Sequence, residues 1–263
     1  VKKLTVNGEA GSQAISGLFL FASTLQDDVF VTIERLKSKP YFQMTLDRLR
    51  NFGVCIDELT EGTFFMKGAQ EIHCSEVDIE GDWSGAANPI VGAAISGKVE
   101  LHGLNQYSRQ ADRQILQAIQ DFGATITWEK EVLLVHESKT KTPFEINITD
   151  CPDIFPILVV LACAAFGTSK ISGVDRLKNK ESDRLLVMCE VLQQFGIAFQ
   201  VDSTDIHIHG IGTVEGGEIN THNDHRIAMA ATISACISIN SIELTNASCV
   251  AKSYPDFFKD LGL

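Results

Sequence analysis

The 263-residue chain has no C-x-x-C pair among its seven cysteines, at 55, 74, 151, 163, 189, 236 and 249, and their number is odd. A thiolate zinc site and a disulfide framework are therefore not suggested, and the cysteines are expected to be buried small hydrophobes. Long apolar runs are also missing. The longest, Ile154 to Phe166, is too short to span a bilayer and contains Pro156, so no membrane partner is expected. No charged-then-apolar leader opens the sequence, from which a cytoplasmic location is expected. Cationic excess is absent as well: 22 lysines and arginines against 34 acidic residues leave a net charge of −12, which argues against a nucleic-acid surface. Apolar residues make up 44%, ample for the core of one large domain or two smaller ones.

Against that acidic background, Leu177 to Leu186 is unusual, because Lys178, Lys180, Glu181, Asp183 and Arg184 crowd three cations and two carboxylates into seven residues. Leu185, Met188, Val191 and Leu192 then recur at helical spacing, which predicts that the cluster sits on the first turn of an amphipathic helix. A helix start offers unpaired N–H groups and partial positive charge, so added cations make a pocket for phosphate or carboxylate. The plainer alternative is an N-terminal cap with solvated ion pairs, to which the like-charged Lys180 and Arg184 are a poor fit.

Three segments share an amphipathic helix that ends in Phe-Gly, at Phe52-Gly53, Phe122-Gly123 and Phe195-Gly196, and then two short strands. Each glycine stands where a helix end needs a left-handed residue. A second set of helices, Ser12 to Ala22, Trp83 to Ile95, Asp153 to Phe166 and Asp224 to Ile237, is followed each time by a short strand. The predicted unit is strand, helix, strand, helix, strand, strand, a mixed α/β architecture. Runs of small residues such as Ala162, Ala164 and Ala165 suit helices buried among neighbours. The last unit ends in a helix expected over Tyr254 to Leu261 and stops at Leu263 before its paired strands. The chain opens on Val1 as though a strand were under way, so it is expected to be a fragment whose missing strands precede Val1.

The predicted helix starts carry Gly11-Ser12-Gln13, Ser38-Lys39-Pro40-Tyr41, Gly81-Asp82, Asp153, Lys180 to Arg184, Asn223 to Arg226 and Lys252 to Asp256. Capping explains Ser12, Asp82, Asp153 and Asn223. It does not explain Lys180, Arg184, Arg226 and Lys252, since a cation at a helix N-terminus calls for an anion between them, here one with several phosphates or carboxylates.

These motifs together resemble the 5-enolpyruvylshikimate-3-phosphate synthases: Gly-x-x-x-Ser-Gln at 8 to 13, Ser-Lys-Pro-Tyr at 38 to 41, Glu-Gly-Asp at 80 to 82, Pro-Asp at 152 to 153, Lys-Glu-Ser-Asp-Arg at 180 to 184, Asn-Asp-His-Arg at 223 to 226 and Ala-Lys-Ser-Tyr-Pro-Asp-Phe-Phe at 251 to 258. The resemblance covers essentially the whole chain and implies an α/β fold of repeated βαβαββ units, which in the full-length family form a two-lobed inside-out α/β barrel. On that pattern, residues 1–79 would be the last unit of an incomplete first lobe. Residues 80–263 would be the second lobe, of three units, lacking the strands an N-terminal segment donates. The implied reaction transfers the enolpyruvyl group of phosphoenolpyruvate to the 5-hydroxyl of shikimate 3-phosphate and releases phosphate, in the shikimate pathway of aromatic amino-acid biosynthesis. No metal or organic cofactor is implied, and the full-length form is expected to be a monomer.

The resemblance also implies roles. Asp153 would be the base at the 5-hydroxyl, Glu181 the proton donor to the methylene carbon, and Lys252 a stabiliser of that step and of the leaving phosphate. Arg184 and Arg226 would clamp phosphoenolpyruvate, with Asp224 and His225 orienting Arg226. Ser12, Ser38 and Lys180 would hold the shikimate phosphate, Gln13 would reach between the substrates, and Tyr41 would lie against the ring. Two departures stand out: Gly11-Ser12 replaces paired serines, leaving a backbone N–H to substitute, and Arg176 stands where an asparagine is common. The family's N-terminal phosphoenolpyruvate-binding cations would lie before Val1, so the chain alone is expected to be inactive. The alternatives are a UDP-N-acetylglucosamine enolpyruvyl transferase and a non-catalytic anion-binding module. His207 and His209 share a strand face but lack a third ligand, and no metal role is expected of them.

Overall fold

A computed structural model describes every residue except Ala10, Cys74, Ser75 and Asn179; Cys74 and Asn179, both within segments read above, thus lie outside the described residues. The chain separates into two compact units, residues 1–79 with 109–111 and residues 80–108 with 112–263.

The first unit runs β1 (Lys2–Asn7), α1 (Ser12–Ala22), β2 (Val29–Glu34), α2 (Lys39–Asn51), β3 (Ile56–Thr60) and β4 (Thr63–Met66). Its sheet has the order β1-β2-β4-β3, with β1 parallel to β2 and the other pairs antiparallel. Parallel neighbours need a crossover, which α1 supplies, whereas β3 and β4 close through a short turn. Alternating Val29, Val31 and Ile33 point into the core, where Phe19, Phe42 and Phe64 meet edge to face with centroids 4.8 to 5.5 Å apart. Only Ile15, Phe19 and Ala22 of α1 are buried; Leu20 and Phe21 are exposed.

The second unit continues with α3 (Trp83–Ile95), β5 (Lys98–Leu101), α4 (Ile115–Asp121), β6 (Thr125–Glu129), β7 (Val132–His136), β8 (Glu145–Asn147), α5 (Phe155–Ala164), β9 (Phe166–Ser172), α6 (Arg184–Gln194), β10 (Ala198–Val201), β11 (Asp205–Ile211), β12 (Gly217–Asn220), α7 (His225–Ser234), β13 (Ile242–Thr245) and α8 (Phe257–Asp260). Its sheets are β5-β7-β6, β10-β11-β9-β8 and the parallel pair β12-β13. The βαβαββ pattern is complete around β8 to β11. Among the described residues no strand opens the repeat at α3, and none follows α8. Among the described residues no sheet closes on itself as a barrel.

Helices α3, α5 and α7 pack on one another and form the core, and every residue of α5 is buried. A helix that is apolar all round must be interior. Small residues permit the approach: a Cβ on Gly92 of α3 would already touch Ile233 of α7 at 3.4 Å. All three Phe-Gly helix ends follow the Schellman pattern. Gly53, Gly123 and Gly196 take positive φ, and the next residue donates back one turn, Val54 to Leu49, Ala124 to Ile119 and Ile197 to Leu192, at 2.9 to 3.0 Å.

Several sequence expectations are corrected. The helix expected from Asp153 to Phe166 is a 3-10 turn, Pro152–Ile154, followed by α5, because Pro152 and Pro156 withhold backbone donors near the start. The helix expected from Asp224 to Ile237 has Asp224 as its cap and tightens to 3-10 over Ala235–Ile237. Lys180, Glu181 and Ser182 precede α6, with Asp183 as N-cap and only Arg184 in the helix. The helix expected over Tyr254 to Leu261 shrinks to Phe257–Asp260, since Pro255 disfavours helical backbone at Tyr254. Cys151 and Cys163 are buried and Cys189 and Cys249 half-buried, but Cys55, in the loop before β3, and Cys236, in the 3-10 turn that ends α7, are exposed. Among the described residues no helix is long and apolar enough to cross a membrane.

Candidate active site

In the first unit, β1 and β2 are parallel, so both deliver their C-terminal ends, and hence the starts of α1 and α2, to one edge of the sheet. The loops there are bonded together: Gly8 N–H donates to the Glu34 carbonyl at 2.8 Å and Lys37 N–H to the Gly8 carbonyl at 3.2 Å. Gly8 permits this approach, because a Cβ would lie 2.7 Å from the Leu36 Cα. Gly8→Ala is expected to lower the stability of this unit by about 1–3 kcal/mol through overpacking, read as a lower urea midpoint with unchanged slope. On this frame Ser12 is half-buried at the first residue of α1 and Gln13 is exposed beside it. Ser38 is buried and takes φ 52° as the residue before α2, with half-buried Tyr41 one turn on. Gly11 N–H donates to the Gly8 carbonyl at 3.3 Å.

The second unit gathers the remaining candidates around one guanidinium. The Arg184 side chain is fully buried; Nε donates to Asp224 Oδ2 at 2.8 Å, Nη1 to Asp153 Oδ1 at 2.7 Å and Nη2 to Glu181 Oε2 at 2.5 Å. A planar fork with five donors suits three carboxylates arriving from three directions, as an ammonium could not. The carboxylates come from the turn before α5, the loop before α6 and the cap of α7. Asp224, also fully buried, accepts from Ser182 Oγ at 3.1 Å and caps the Arg226 N–H at 3.0 Å. It therefore positions Arg184 and the α7 backbone, where sequence reading assigned it to the Arg226 side chain.

Further cations face the open side. Arg226 Nη2 donates to Asp153 Oδ2 at 3.1 Å, Lys180 Nζ lies 3.4 Å from Asp153 Oδ1, and Lys252 Nζ donates to Glu181 Oε1 at 3.2 Å. Lys252 ends the 3-10 turn Ala247–Lys252; it is at a helix C-terminus, where a cation is favoured, and not at the N-terminus expected of it. Burial alone would raise the Asp153 carboxyl, but Arg226, Lys180 and Arg184 outweigh it and hold the group well below the usual carboxylate range. Glu181 follows the same balance, burial against Arg184, its own backbone N–H and Lys252, and is also lowered. His225 is pushed down by burial and then by Arg226, which favours the neutral ring; its buried Nδ1 has no hydrogen-bond partner among the described residues and lies 3.9 Å from Asp224 Oδ1. The Nε of Arg226 is likewise buried without a hydrogen-bond partner among the described residues.

Four cations, Lys180, Arg184, Arg226 and Lys252, thus meet three carboxylates, Asp153, Glu181 and Asp224. An anionic ligand that takes the outer cations competes with Asp153 and Glu181 for them. Each carboxylate so released regains basicity, which suits an ion-paired carboxylate of this kind to proton transfer.

One further group was missed. Asp112, in the 3-10 turn Ala111–Gln114 ahead of α4, is buried, and burial and then Asp153 push its carboxyl up to about 7 against the pull of Arg226 and Lys180. An aspartate just before an amphipathic helix reads as an ordinary cap, so nothing in the sequence marked it. Arg176 donates to the Thr149 carbonyl. His207 lies 3.5 Å from Asp202 and His209 bonds Thr168 at 3.1 Å; among the described residues no cluster of three or more His, Cys, Asp or Glu could hold a metal.

The family described as EPSP synthase (3-phosphoshikimate 1-carboxyvinyltransferase) matches residues 1–261. The 3-phosphoshikimate 1-carboxyvinyltransferase of Clostridium kluyveri is 35% identical over 256 residues, 97% of this chain and 60% of that protein. That of Clostridium acetobutylicum is 36% identical over 255 residues, 97% of this chain and 59% of that protein. The chain thus spans about three fifths of the length of these curated relatives. Among solved structures, an EPSP synthase from Acinetobacter baumannii matches with a TM-score of 0.83 at 26% identity, covering 98% of this chain and 62% of the other. The enolpyruvyl transferase NikO from Streptomyces tendae, at 17% identity and TM-score 0.76, covering 99% of this chain and 63% of the other, shares the fold.

Proposed function

The chain belongs to the EPSP synthase family, and on that premise we propose that its protein transfers the enolpyruvyl group of phosphoenolpyruvate to the 5-hydroxyl of shikimate 3-phosphate and releases phosphate. The observation that carries this reading is the Arg184 knot, in which two carboxylates suited to proton transfer are held by the same cations that suit a phosphate and a carboxylate.

In the proposed sequence the ligand's anionic groups engage Arg226 and Lys252, and Arg184 joins the clamp as Asp153 and Glu181 yield to the ligand. Glu181, having taken up a proton, protonates the methylene carbon. Asp153 accepts the proton of the 5-hydroxyl as that oxygen bonds to the neighbouring carbon, giving a tetrahedral intermediate. The Glu181 carboxylate then takes a proton back from the new methyl group as the C–O bond to phosphate breaks, the phosphate's charge met by Lys252, and the double bond is restored. Cations preorganised around growing negative charge lower the barrier without reorganising during the step. The resemblance extends the proposal to Lys180, Ser12 and Ser38 as donors to the acceptor's phosphate and to Gln13 and Tyr41 as further substrate contacts. The proposal also takes the enzyme to be cytoplasmic and, in its full-length form, a monomer. Residues 1–79 are proposed as the last unit of one lobe and 80–263 as part of the other.

The test is phosphate release by the protein as encoded, with phosphoenolpyruvate and either shikimate 3-phosphate or UDP-N-acetylglucosamine. Release with the first acceptor alone is expected. Release only with the second would move the protein to the sibling activity, and release with neither would leave an anion-binding module.

A further inference from the structure

We infer that Ser182 is a positioning residue of this site: its hydroxyl, bonded to the buried Asp224, keeps Glu181 in place once an anion has taken the cations that hold that carboxylate in the free protein. The inference deepens the proposed function and rests on it for the kinetic arm of its test.

Residues 180–183 lead into α6, and their side chains are held in two different ways. Lys180 Nζ lies 3.4 Å from Asp153 Oδ1, and Glu181 meets Arg184 Nη2 at 2.5 Å and Lys252 Nζ at 3.2 Å. These are ion pairs for which an anionic ligand competes. The next two side chains are tied to groups that attract no anion. Ser182, half-buried, donates from Oγ to Asp224 Oδ2 at 3.1 Å, and Asp183 caps α6 by accepting the Leu186 N–H at 3.2 Å.

Asp224 is a firm anchor for this bond. Its carboxylate is fully buried; Oδ2 also takes Arg184 Nε at 2.8 Å, and Oδ1 takes the Arg226 N–H at 3.0 Å. Its backbone is fixed on both sides, the N–H donating to the Thr221 carbonyl at 2.9 Å and the carbonyl accepting from the Ala228 N–H at 3.1 Å. His222, in the turn ahead of α7, lies 3.1 Å from Glu190 of α6, so the anchor and the helix that follows Ser182 are joined a second time.

An incoming phosphate or carboxylate draws cations to itself and is repelled by Asp224. The ion pairs of Glu181 are therefore exchanged on binding, whereas the bond from Ser182 persists. In the free protein Glu181 is held through its own carboxylate and through its neighbour; in the complex the neighbour remains. A proton donor needs such a support, because misplacing a reacting group by about 1 Å can cost roughly 10²-fold in rate.

The experiment uses the protein as encoded with Ser182→Ala, which removes the hydroxyl, and Ser182→Thr, which keeps it. At saturating shikimate 3-phosphate, Ser182→Ala is expected to lower kcat about 10- to 100-fold. The phosphoenolpyruvate KM should stay within about twofold of wild type, since Arg226 and Lys252 stand on other segments. Ser182→Thr should restore kcat to within about threefold of wild type. A role confined to folding would leave the turnover of the folded molecules intact. A kcat for Ser182→Ala within about threefold of wild type overturns the inference, and so does a loss confined to KM or a threonine variant as impaired as the alanine one.

Amide hydrogen exchange over residues 180–187 supplies an arm that needs no turnover. Without ligand, Ser182→Ala and wild type should exchange within about twofold of each other. With saturating phosphoenolpyruvate the variant should exchange about tenfold faster, the loss expected for one hydrogen bond to a charged group. Equal rates in the complex, or the same acceleration with and without ligand, overturn the inference. If wild type turns over neither acceptor but the exchange difference persists, the enzymatic reading fails and this one stands. Should Ser182→Ala not fold, Ser182→Cys, of similar shape and a weaker donor, takes its place. If phosphoenolpyruvate does not bind, inorganic phosphate is the second probe, and binding of neither anion also overturns the inference.

Discussion

Arg184→Ala is expected to destabilise the second unit by about 3–5 kcal/mol at pH 7, the range for removing one partner from a buried ion network. The side chain is fully buried and its guanidinium meets Asp153, Glu181 and Asp224 at 2.5 to 2.8 Å. Its loss strands Asp224 in the interior with a hydroxyl and a backbone amide as its remaining partners. Arg184→Lys should recover only part of the loss, because a point charge cannot meet three carboxylates from three sides.

The deficit should also depend on pH in a definite direction. Asp153 and Glu181 have folded-state pKa values below their unfolded ones, so the native state binds fewer protons and their contribution is fully present above the unfolded values near 4. It fades as pH falls through the lowered folded values. Wild type and Arg184→Ala should therefore converge in urea midpoint below about pH 4. A variant less than about 1 kcal/mol weaker at pH 7, with a pH-independent gap, would show that the knot contributes nothing to the fold.

Asp153→Asn is expected to reduce kcat by roughly 10²- to 10⁴-fold, the usual contribution of a positioned base. Its effect on KM should run the opposite way. Asp153 occupies Arg226 and Lys180 in the absence of ligand, at 3.1 and 3.4 Å. Neutral asparagine releases both cations, so the phosphoenolpyruvate KM should fall as kcat falls, the signature of removing a competitor from the ground state. Steady-state kinetics with saturating shikimate 3-phosphate reads both parameters. Unchanged kcat would remove Asp153 from the reaction, and a KM that rises would mean that the carboxylate helps to hold the ligand. Glu181→Gln should resemble it in kcat, with a smaller gain in affinity because it releases the exposed Lys252.

The sequence reveals local rules well and long-range partners poorly. Phe-Gly at 53, 123 and 196 announced helix ends because a left-handed residue there has few substitutes, and each ends in the Schellman bonds that this conformation permits. The apolar run after Phe155 marked an interior helix, but its start was misplaced because prolines at 152 and 156 admit a 3-10 turn, and that turn is what presents Asp153. Lys252 was read as opening a helix, whereas it ends the 3-10 turn Ala247–Lys252: local charge pattern cannot tell a cation that closes one turn from one that opens the next. The bond from Asp224 to Arg184 spans 40 residues and left no periodic trace. Asp112 was invisible for a related reason, since burial and the company of Asp153 are properties of the fold.

The Arg184 knot also bears on how the protein can vary. One side chain satisfies carboxylates from three separate segments, so the acceptable residue at each of positions 153, 181 and 224 depends on what stands at 184, and through it on the other two. Changes there are epistatic. In a library randomised at all four positions and selected for a folded chain, survivors should carry linked combinations, either the whole charged set or a wholly uncharged one, and single departures should be rare. Tolerance measured one residue at a time would understate the sequences this fold can accept.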